Sequence, residues 1–360
     1  MPKILKKSAK YIVLFAVIGV LCIDRELTLT ALGKVAAFSA YTNILSADFG
    51  RQTTVIDKTE TSVSSNSDKD ENTAKDKTAE PKTADKTDST VAETATKGKV
   101  LGKIIKKDLS NSGANTSYKN IYFNNCTGVK INIKDFINSR IGFSPKKGSD
   151  PQVLIYHTHA TECFMSEDRD YYTEKDDTRS TDKTKNMVAV GNVLADELKK
   201  AGYSVVHDST LHDHPSYTGS YNLSAETIKK YLKKYPSIKI IIDLHRDSIG
   251  TEKQKTAPVT KIDGKNAAQV MLVMGSNTGY IDNYPKWKEN LKLATRLQQC
   301  FNTKYPGLSR ALLLRSSLYN QNLSTGAMLI EVGTEANTLD EAKYSAKLVG
   351  NCLSEVMKGL

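Results

Sequence analysis

Apolar residues between positions 151 and 360 recur in two alternating rhythms. Compact apolar blocks predict buried strands at VLIYHTH (153–159), YSVVHD (203–208), IKIIIDLHRD (238–247), AAQVMLVMG (267–275), ALLLRS (311–316) and GAMLIEVG (326–333). Apolar residues spaced three and four apart predict helices over TKNMVAVGNVLADELKKAG (184–202), SAETIKKYLKKYP (224–236), KWKENLKLATRLQQCFNTKYPG (286–307) and TLDEAKYSAKLVGNCLSEVMKGL (338–360). Gly202 is a natural stop for the first helix, and Ser224 reads as the opening residue of the second. Strands alternating with helices imply an α/β domain: an open, mostly parallel sheet with helices on both faces.

Upstream the pattern changes. Residues 101–150 carry only short apolar segments, Ile104-Ile105, Ile121–Phe123 and Val129–Ile133, which predict strands or a short helix docking on the domain of 151–360. Residues 47–100 are mostly Thr, Lys, Asp, Ser, Glu and Ala. Such a stretch cannot bury enough surface to offset its ordering entropy, so it predicts a disordered linker. Fully stretched, it would reach on the order of 150 Å at about 3.3 Å per residue. Residues 1–46 begin with Lys3, Lys6, Lys7 and Lys10, then an apolar run from Tyr11 to Ile23. Positive residues before an apolar run read as a cytoplasmic tip, which places the rest of the chain outside the membrane. The run is short for a span, but snorkelling lysines and local thinning accommodate it. The small-residue segment Ala36–Ala40 lies far beyond the run, and Leu21 is too large for a lipoprotein processing site before Cys22. An uncleaved single-pass anchor is therefore preferred to a signal peptide.

The net charge of +11 implies attraction to an acidic partner such as anionic lipid or an anionic cell wall. No zinc finger, RNP motif or Arg-rich helix with interleaved aromatics is present, so nucleic acid is not expected. The five cysteines are odd in number and scattered, which reads as free thiols rather than a disulfide framework.

Open α/β sheets place their chemistry beyond the carboxyl ends of the strands. Three predicted strands end in polar groups there: His157-Thr158-His159 with Glu162 just beyond, Asp243-Leu244-His245-Arg246-Asp247, and Glu331-Val332-Gly333. A charged group closing a buried strand is costly unless paired or bound to metal. His159-x-x-Glu162 with His245 from another strand makes a two-His, one-Glu set, which with one open position is a catalytic zinc arrangement. Glu331 is then the proton-transferring group, and Arg246 a donor to an oxyanion or a substrate carboxylate. His212-Asp213-His214, beside Pro215 and Gly219, reads as an exposed loop. Cys163 as a nucleophile needs an activating His, and the nearby ones are better used as ligands.

Taken together, VLIYHTHATE, HDSTLHDHPSYTGSYNLS, IIIDLHRD and MLIEVGTEAN resemble the stage II sporulation protein P family of endospore-forming bacteria, over roughly residues 150–350. The domain is more distantly similar to zinc-dependent N-acetylmuramoyl-L-alanine amidases. That resemblance aligns their first ligand His with His159, a later one with His245 and their catalytic Glu with Glu331, with Gly333 and Asn337 also matching. Their ligand Glu falls near Lys183, which is not an acid, so the carboxylate is Glu162 or else Glu174, and His157 is a further candidate ligand. The family resemblance implies cleavage of the lactyl–L-alanine amide of peptidoglycan, and also of peptide cross-links, during forespore engulfment at the mother-cell membrane. It implies stage II sporulation proteins D and M as partners. A carboxypeptidase-like zinc peptidase and a non-catalytic envelope scaffold are the alternatives.

Overall fold

The computed structural model describes residues 98–279 and 281–360. The apolar run at 11–23 and nearly all of the linker expected at 47–100 lie outside the described residues. In chain order the elements are β1 (Val100–Lys107), β2 (Thr116–Tyr118), β3 (Ile121–Asn125), α1 (Ile133–Asn138), β4 (Pro151–Tyr156), β5 (Tyr171–Thr173), α2 (Met187–Lys200), β6 (Ser204–His207), α3 (Ser220–Lys234), β7 (Ile240–Asp247), β8 (Gly250–Thr251), β9 (Gln254–Ile262), β10 (Lys265–Ala268), β11 (Val270–Gly275), α4 (Trp287–Lys304), β12 (Leu312–Arg315), β13 (Ala327–Thr334) and α5 (Leu339–Lys358). Among the described residues no helix is long and apolar enough to cross a membrane.

Eight strands form the main sheet, in the order β2-β3-β12-β11-β13-β7-β4-β6. It is parallel in two blocks, β6-β4-β7-β13 and β11-β12-β3. The blocks meet antiparallel at β11–β13, and β2 adds an antiparallel edge. The sheet is thus mostly parallel, and it reverses once in the middle. Period-two alternation sorts the strand side chains onto two faces. Val153 and Ile155 of β4, Ile240, Ile242 and Leu244 of β7, and Met328, Ile330 and Val332 of β13 pack with α2, α4 and α5 in the larger core. Leu154 and Tyr156 of β4 and Ile241 of β7 pack on the other side against Ile228 of α3. Among the described residues helices cover both faces, α1, α2, α4 and α5 on one and α3 on the other.

Local chemistry sets the helix ends. Asn186 caps α2 by accepting from the Val188 N–H, and Lys199 and Lys200 sit at the carboxyl end, where the helix dipole favours cations. Thr338 and Glu341 form a reciprocal capping box at the start of α5. Helix α3 starts at Ser220 rather than Ser224, behind Gly219 in the left-handed conformation. Ser224 faces inward instead, with its hydroxyl 2.9 Å from that of Thr158.

The block AAQVMLVMG divides at Gln269 into β10 and β11. The buried Gln269 side chain explains the break: it accepts from Leu109 N–H at 2.7 Å and donates to the carbonyl of Gly307 at 2.7 Å. It thereby ties the β10–β11 junction to two distant loops. Strand β10 belongs to a second sheet, β10-β9-β1-β5, with β8 paired to β9. Residues before 151 contribute to both sheets, β1 to the small one and β2–β3 to the edge of the large one.

Candidate metal centre

Strand β4 stops at Tyr156, and the chain turns over the next residues. The turn sends the two histidines apart. The His157 Nδ1 lies 2.9 Å from the Leu244 carbonyl oxygen, and its Nε2 lies 2.8 Å from His207 Nε2. This pair sits against α2, where a Cβ on Gly191 would fall 2.5 Å from His207 Nε2 and 2.8 Å from His157 Nε2. His157 is therefore a packed, hydrogen-bonded histidine on the far side of the sheet from His159. Burial lowers the two rings to about 3 for His157 and about 4 for His207, which keeps both neutral.

His159 instead meets Glu162 and His245. The His159 Nδ1 is 3.6 Å from Glu162 Oε1, and the His245 Nδ1 is 3.5 Å from Glu162 Oε2. Donor atoms of the three residues all lie within 4.8 Å of one another. The three are 7%, 3% and 3% exposed in chain order, and His159 Nε2 has no hydrogen-bond partner. Metal–ligand bonds of about 2.1 Å in a tetrahedron put donor atoms about 3.4 Å apart, close to the 3.6 and 3.5 Å between Glu162 and the two histidines. Two imidazoles and a carboxylate are also the donor set zinc favours, so these residues fit the ion. Glu174 is elsewhere. It is exposed in the turn after β5, with Oε1 3.4 Å from the Lys99 backbone N–H. Lys183 is also exposed, bonded to Ser209.

The carboxylate behind His245 was not singled out from the sequence. Asp243 precedes His245 by two residues on β7 and so shares its face. Its Oδ1 lies 2.8 Å from His245 Nε2, and it accepts from the Thr158 N–H at 2.8 Å and the Thr158 hydroxyl at 2.7 Å. A buried carboxylate beside the far nitrogen orients the ring of a metal-ligating histidine; here the contact is an ion-pair approach, and His245 Nε2 makes no hydrogen bond. Burial opposes charge on Asp243, but His245 and Thr158 outweigh it and hold the carboxyl below its usual range. Burial likewise disfavours a charged His245. Asp243 and Glu162 reverse that and raise the ring well above its ordinary value. Glu162 is held well below the usual carboxylate range against its own burial, by His159, His245 and Arg246.

Glu331 of β13 is the register partner of His245 on β7. Burial, then the charge of Asp247, pushes its carboxyl up to about 8, and its Oε2 is buried without a partner. Gly333 explains the end of this strand. It has φ +65°, and a Cβ there would meet Asn337 Oδ1 at 2.6 Å. That same oxygen accepts from the Thr334 N–H at 2.9 Å. Gly333 and Asn337 thus form the turn that closes β13 just past Glu331.

Arg246 does not point where sequence reasoning put it. Its guanidinium donates to the carbonyls of Cys163 (3.1 Å), Thr178 (2.8 Å) and Asp247 (3.3 Å) and lies 3.6 Å from Glu335. These contacts engage the side chain in clamping the 163–178 loop; only its backbone N–H, 3.2 Å from Glu162 Oε2, touches the trio. Nor is the 212–214 segment wholly exposed. His212 is buried, with Nδ1 2.8 Å from the His157 carbonyl oxygen and Nε2 2.8 Å from the Thr227 hydroxyl. Asp213 accepts from the Thr161 N–H at 3.2 Å, and only His214 faces solvent. The loop packs onto the His159 turn, and Tyr217 stacks on the His159 ring with centroids 4.3 Å apart. Cys163 donates to the Asp177 carbonyl, and burial raises its thiol to about 11, which makes it a poor nucleophile. The four described cysteines are free.

A family model described as Stage II sporulation protein P (SpoIIP) matches residues 27–354. The Stage II sporulation protein P of Bacillus subtilis (strain 168) is 29% identical over 220 residues, 58% of this chain and 52% of that protein, so the chain spans about half the length of this curated relative. Among solved structures, the chain is similar to the N-acetylmuramoyl-L-alanine amidase AmiC2 of Nostoc punctiforme at 10% identity and a TM-score of 0.34, covering 59% of this chain and 98% of that one. It is also similar to the CwlD amidase of Clostridioides difficile, solved in complex with the GerS lipoprotein, at 12% identity and a TM-score of 0.33, covering 57% and 94%. The family match extends over most of the chain, and the chain belongs to the stage II sporulation protein P family.

Proposed function

We propose that the protein is a zinc-dependent peptidoglycan amidase that cleaves the bond between the lactyl group of muramic acid and L-alanine during sporulation. The observation that carries this reading is the convergence of His159, Glu162 and His245 beside Glu331 at the carboxyl ends of β4, β7 and β13. Membership of the family supports the peptidoglycan substrate.

His159, Glu162 and His245 would hold the ion. Bound there, zinc supplies Lewis acidity toward the scissile carbonyl and makes water a stronger acid. Asp243 orients His245 from behind, fixed in turn by Thr158. Glu331 takes a proton from the attacking water at its unpartnered Oε2 and returns it to the nitrogen of the departing L-alanine. Arg246 holds the 163–178 loop against the site.

In the same reading, residues 1–46 anchor the chain in the mother-cell membrane and 47–100 tether the catalytic part outside it. Peptidoglycan and the stage II sporulation proteins D and M are the partners. The deciding experiment is digestion of purified peptidoglycan followed by product analysis. Free lactyl ends and intact stem peptides are expected. Shortened stems with no free lactyl ends would replace this reading with a carboxypeptidase-like one.

A further inference from the structure

The substrate-facing cation expected at Arg246 has a better-placed counterpart in Arg179. The backbone of Arg179 bridges antiparallel to Glu162, and the next residue, Ser180, donates its N–H to the Thr161 carbonyl at 2.7 Å. The segment is thereby pinned to the turn that carries two of the candidate ligands. Arg179 Nη1 donates to Asp213 Oδ2 at 2.7 Å and to the Thr161 hydroxyl at 3.0 Å. The guanidinium lies 4.8 Å from the centroid of Tyr217, the ring that stacks on His159.

A guanidinium is a rigid fork, so holding one edge fixes the direction of the other. The second nitrogen, Nη2, is itself buried, comes 3.7 Å from Glu162 Oε1 and has no acceptor within hydrogen-bond distance, although the side chain as a whole is 30% exposed. A buried donor fixed beside the trio, with only the Glu162 carboxylate near it and beyond hydrogen-bond distance, lacks the acceptor that a substrate oxygen would supply. By contrast, the Arg246 guanidinium already has three carbonyl acceptors.

We propose that Arg179 is a catalytic residue whose Nη2 donates to a negatively charged oxygen of the substrate held over His159, Glu162 and His245. This rests on the peptidoglycan-amidase reading. Two substrate oxygens share the required chemistry: the scissile carbonyl oxygen as charge builds on it, and a carboxylate of the stem peptide. Kinetics separate them, because a contact made only in the transition state shows in kcat and a ground-state contact shows in KM.

The test compares the full wild-type chain with Arg179→Gln and Arg179→Lys, each loaded with zinc, on a muramoyl tripeptide. Metal content is measured alongside turnover. Arg179→Gln is expected to keep its zinc and lose on the order of 100-fold in kcat/KM. Arg179→Lys keeps the charge and the pairing with Asp213 but lacks the second edge of the fork, so it recovers only part of the loss. Unchanged kcat and KM in a zinc-loaded Arg179→Gln protein overturn the proposal. So does loss of zinc in both variants, which would make Arg179 a support for Glu162 instead. Wild-type protein that carries zinc but releases no lactyl end overturns the amidase reading itself, and this inference with it.

Discussion

Glu331 and His245 face each other as register partners on the neighbouring parallel strands β13 and β7. Adjacent strands lie about 4.8 Å apart, so the backbone carrying the unpartnered carboxylate runs one strand's width from that of a candidate metal ligand. The set of donor atoms within 4.8 Å of one another is His159, Glu162 and His245, without Glu331, which assigns its carboxylate to proton transfer rather than ligation. Glu331→Gln should therefore retain zinc at one equivalent while its turnover falls by about 10²–10⁴-fold. Paired metal analysis and peptide-release assays check this. Wild-type turnover in the Gln variant would remove Glu331 from the mechanism.

Much of this site can be read from the sequence because strand ends and periodicity carry the information. His245 and Glu331 close apolar blocks, and a parallel sheet brings such ends together. The same logic fails at His157. Residues two apart share a face only while the strand continues, and β4 ends one residue before His157. Arg179 was not legible either, since it lies in an irregular segment and reaches the site through tertiary contacts with Glu162, Asp213 and Tyr217 that no local pattern encodes. The small sheet was missed for a different reason. Its β9 strand, QKTAPVTKI, holds few large apolar residues and a proline, so its pairing with β1 depends on contacts more than a hundred residues apart.

The choice between Glu162 and Glu174 is open to a direct measurement. Glu162 is buried between both histidines, whereas Glu174 is exposed beside Lys99. Glu162→Ala should bind zinc far more weakly than wild type, and Glu174→Ala should match wild type. Asp243→Asn should fall between them, about 10–100-fold weaker, because it removes only the group that orients His245. Chelator competition gives the order. Zinc affinity that survives Glu162→Ala and drops in Glu174→Ala would reverse the assignment.

Zinc binding should also weaken as pH falls. A ligating imidazole must be neutral, yet Asp243 and Glu162 raise the His245 ring well above its ordinary value in the metal-free protein. Metal must displace that proton, so affinity rises with pH across the neutral range. Competition titrations at pH 6 and 8 in buffers of different ionisation enthalpy would report proton release on binding. Release of no proton at pH 6 would contradict the raised His245.

Gly191 makes a separate demand on α2. A methyl group there would sit inside van der Waals contact of both ring nitrogens of the His157–His207 pair. Helix propensity favours Ala over Gly by up to about 1 kcal/mol, so an exposed site would gain from the exchange. Here the overpacking should win, with Gly191→Ala destabilising by about 1–3 kcal/mol. Chemical denaturation measures the difference. A stabilised Gly191→Ala protein would mean that the two rings move aside freely.

The same pair predicts a loss of stability in mild acid. His157 and His207 ionise in the folded protein only near 3 and 4, against an ordinary value of 6.5. Between those limits the unfolded chain takes up protons that the folded one refuses, so unfolding becomes easier as pH falls. The pair's stabilising contribution is complete above about pH 6.5 and is lost progressively toward pH 4 and below. For His207 alone, the change from pH 7 to pH 5 is on the order of 1–2 kcal/mol. His207→Gln keeps a hydrogen-bonding group toward His157 but removes one titrating ring, so its stability should fall less steeply over this range. Urea unfolding of both proteins at pH 7, 6 and 5, without metal, tests the slope. Parallel slopes for wild type and His207→Gln would show that the acid sensitivity arises elsewhere.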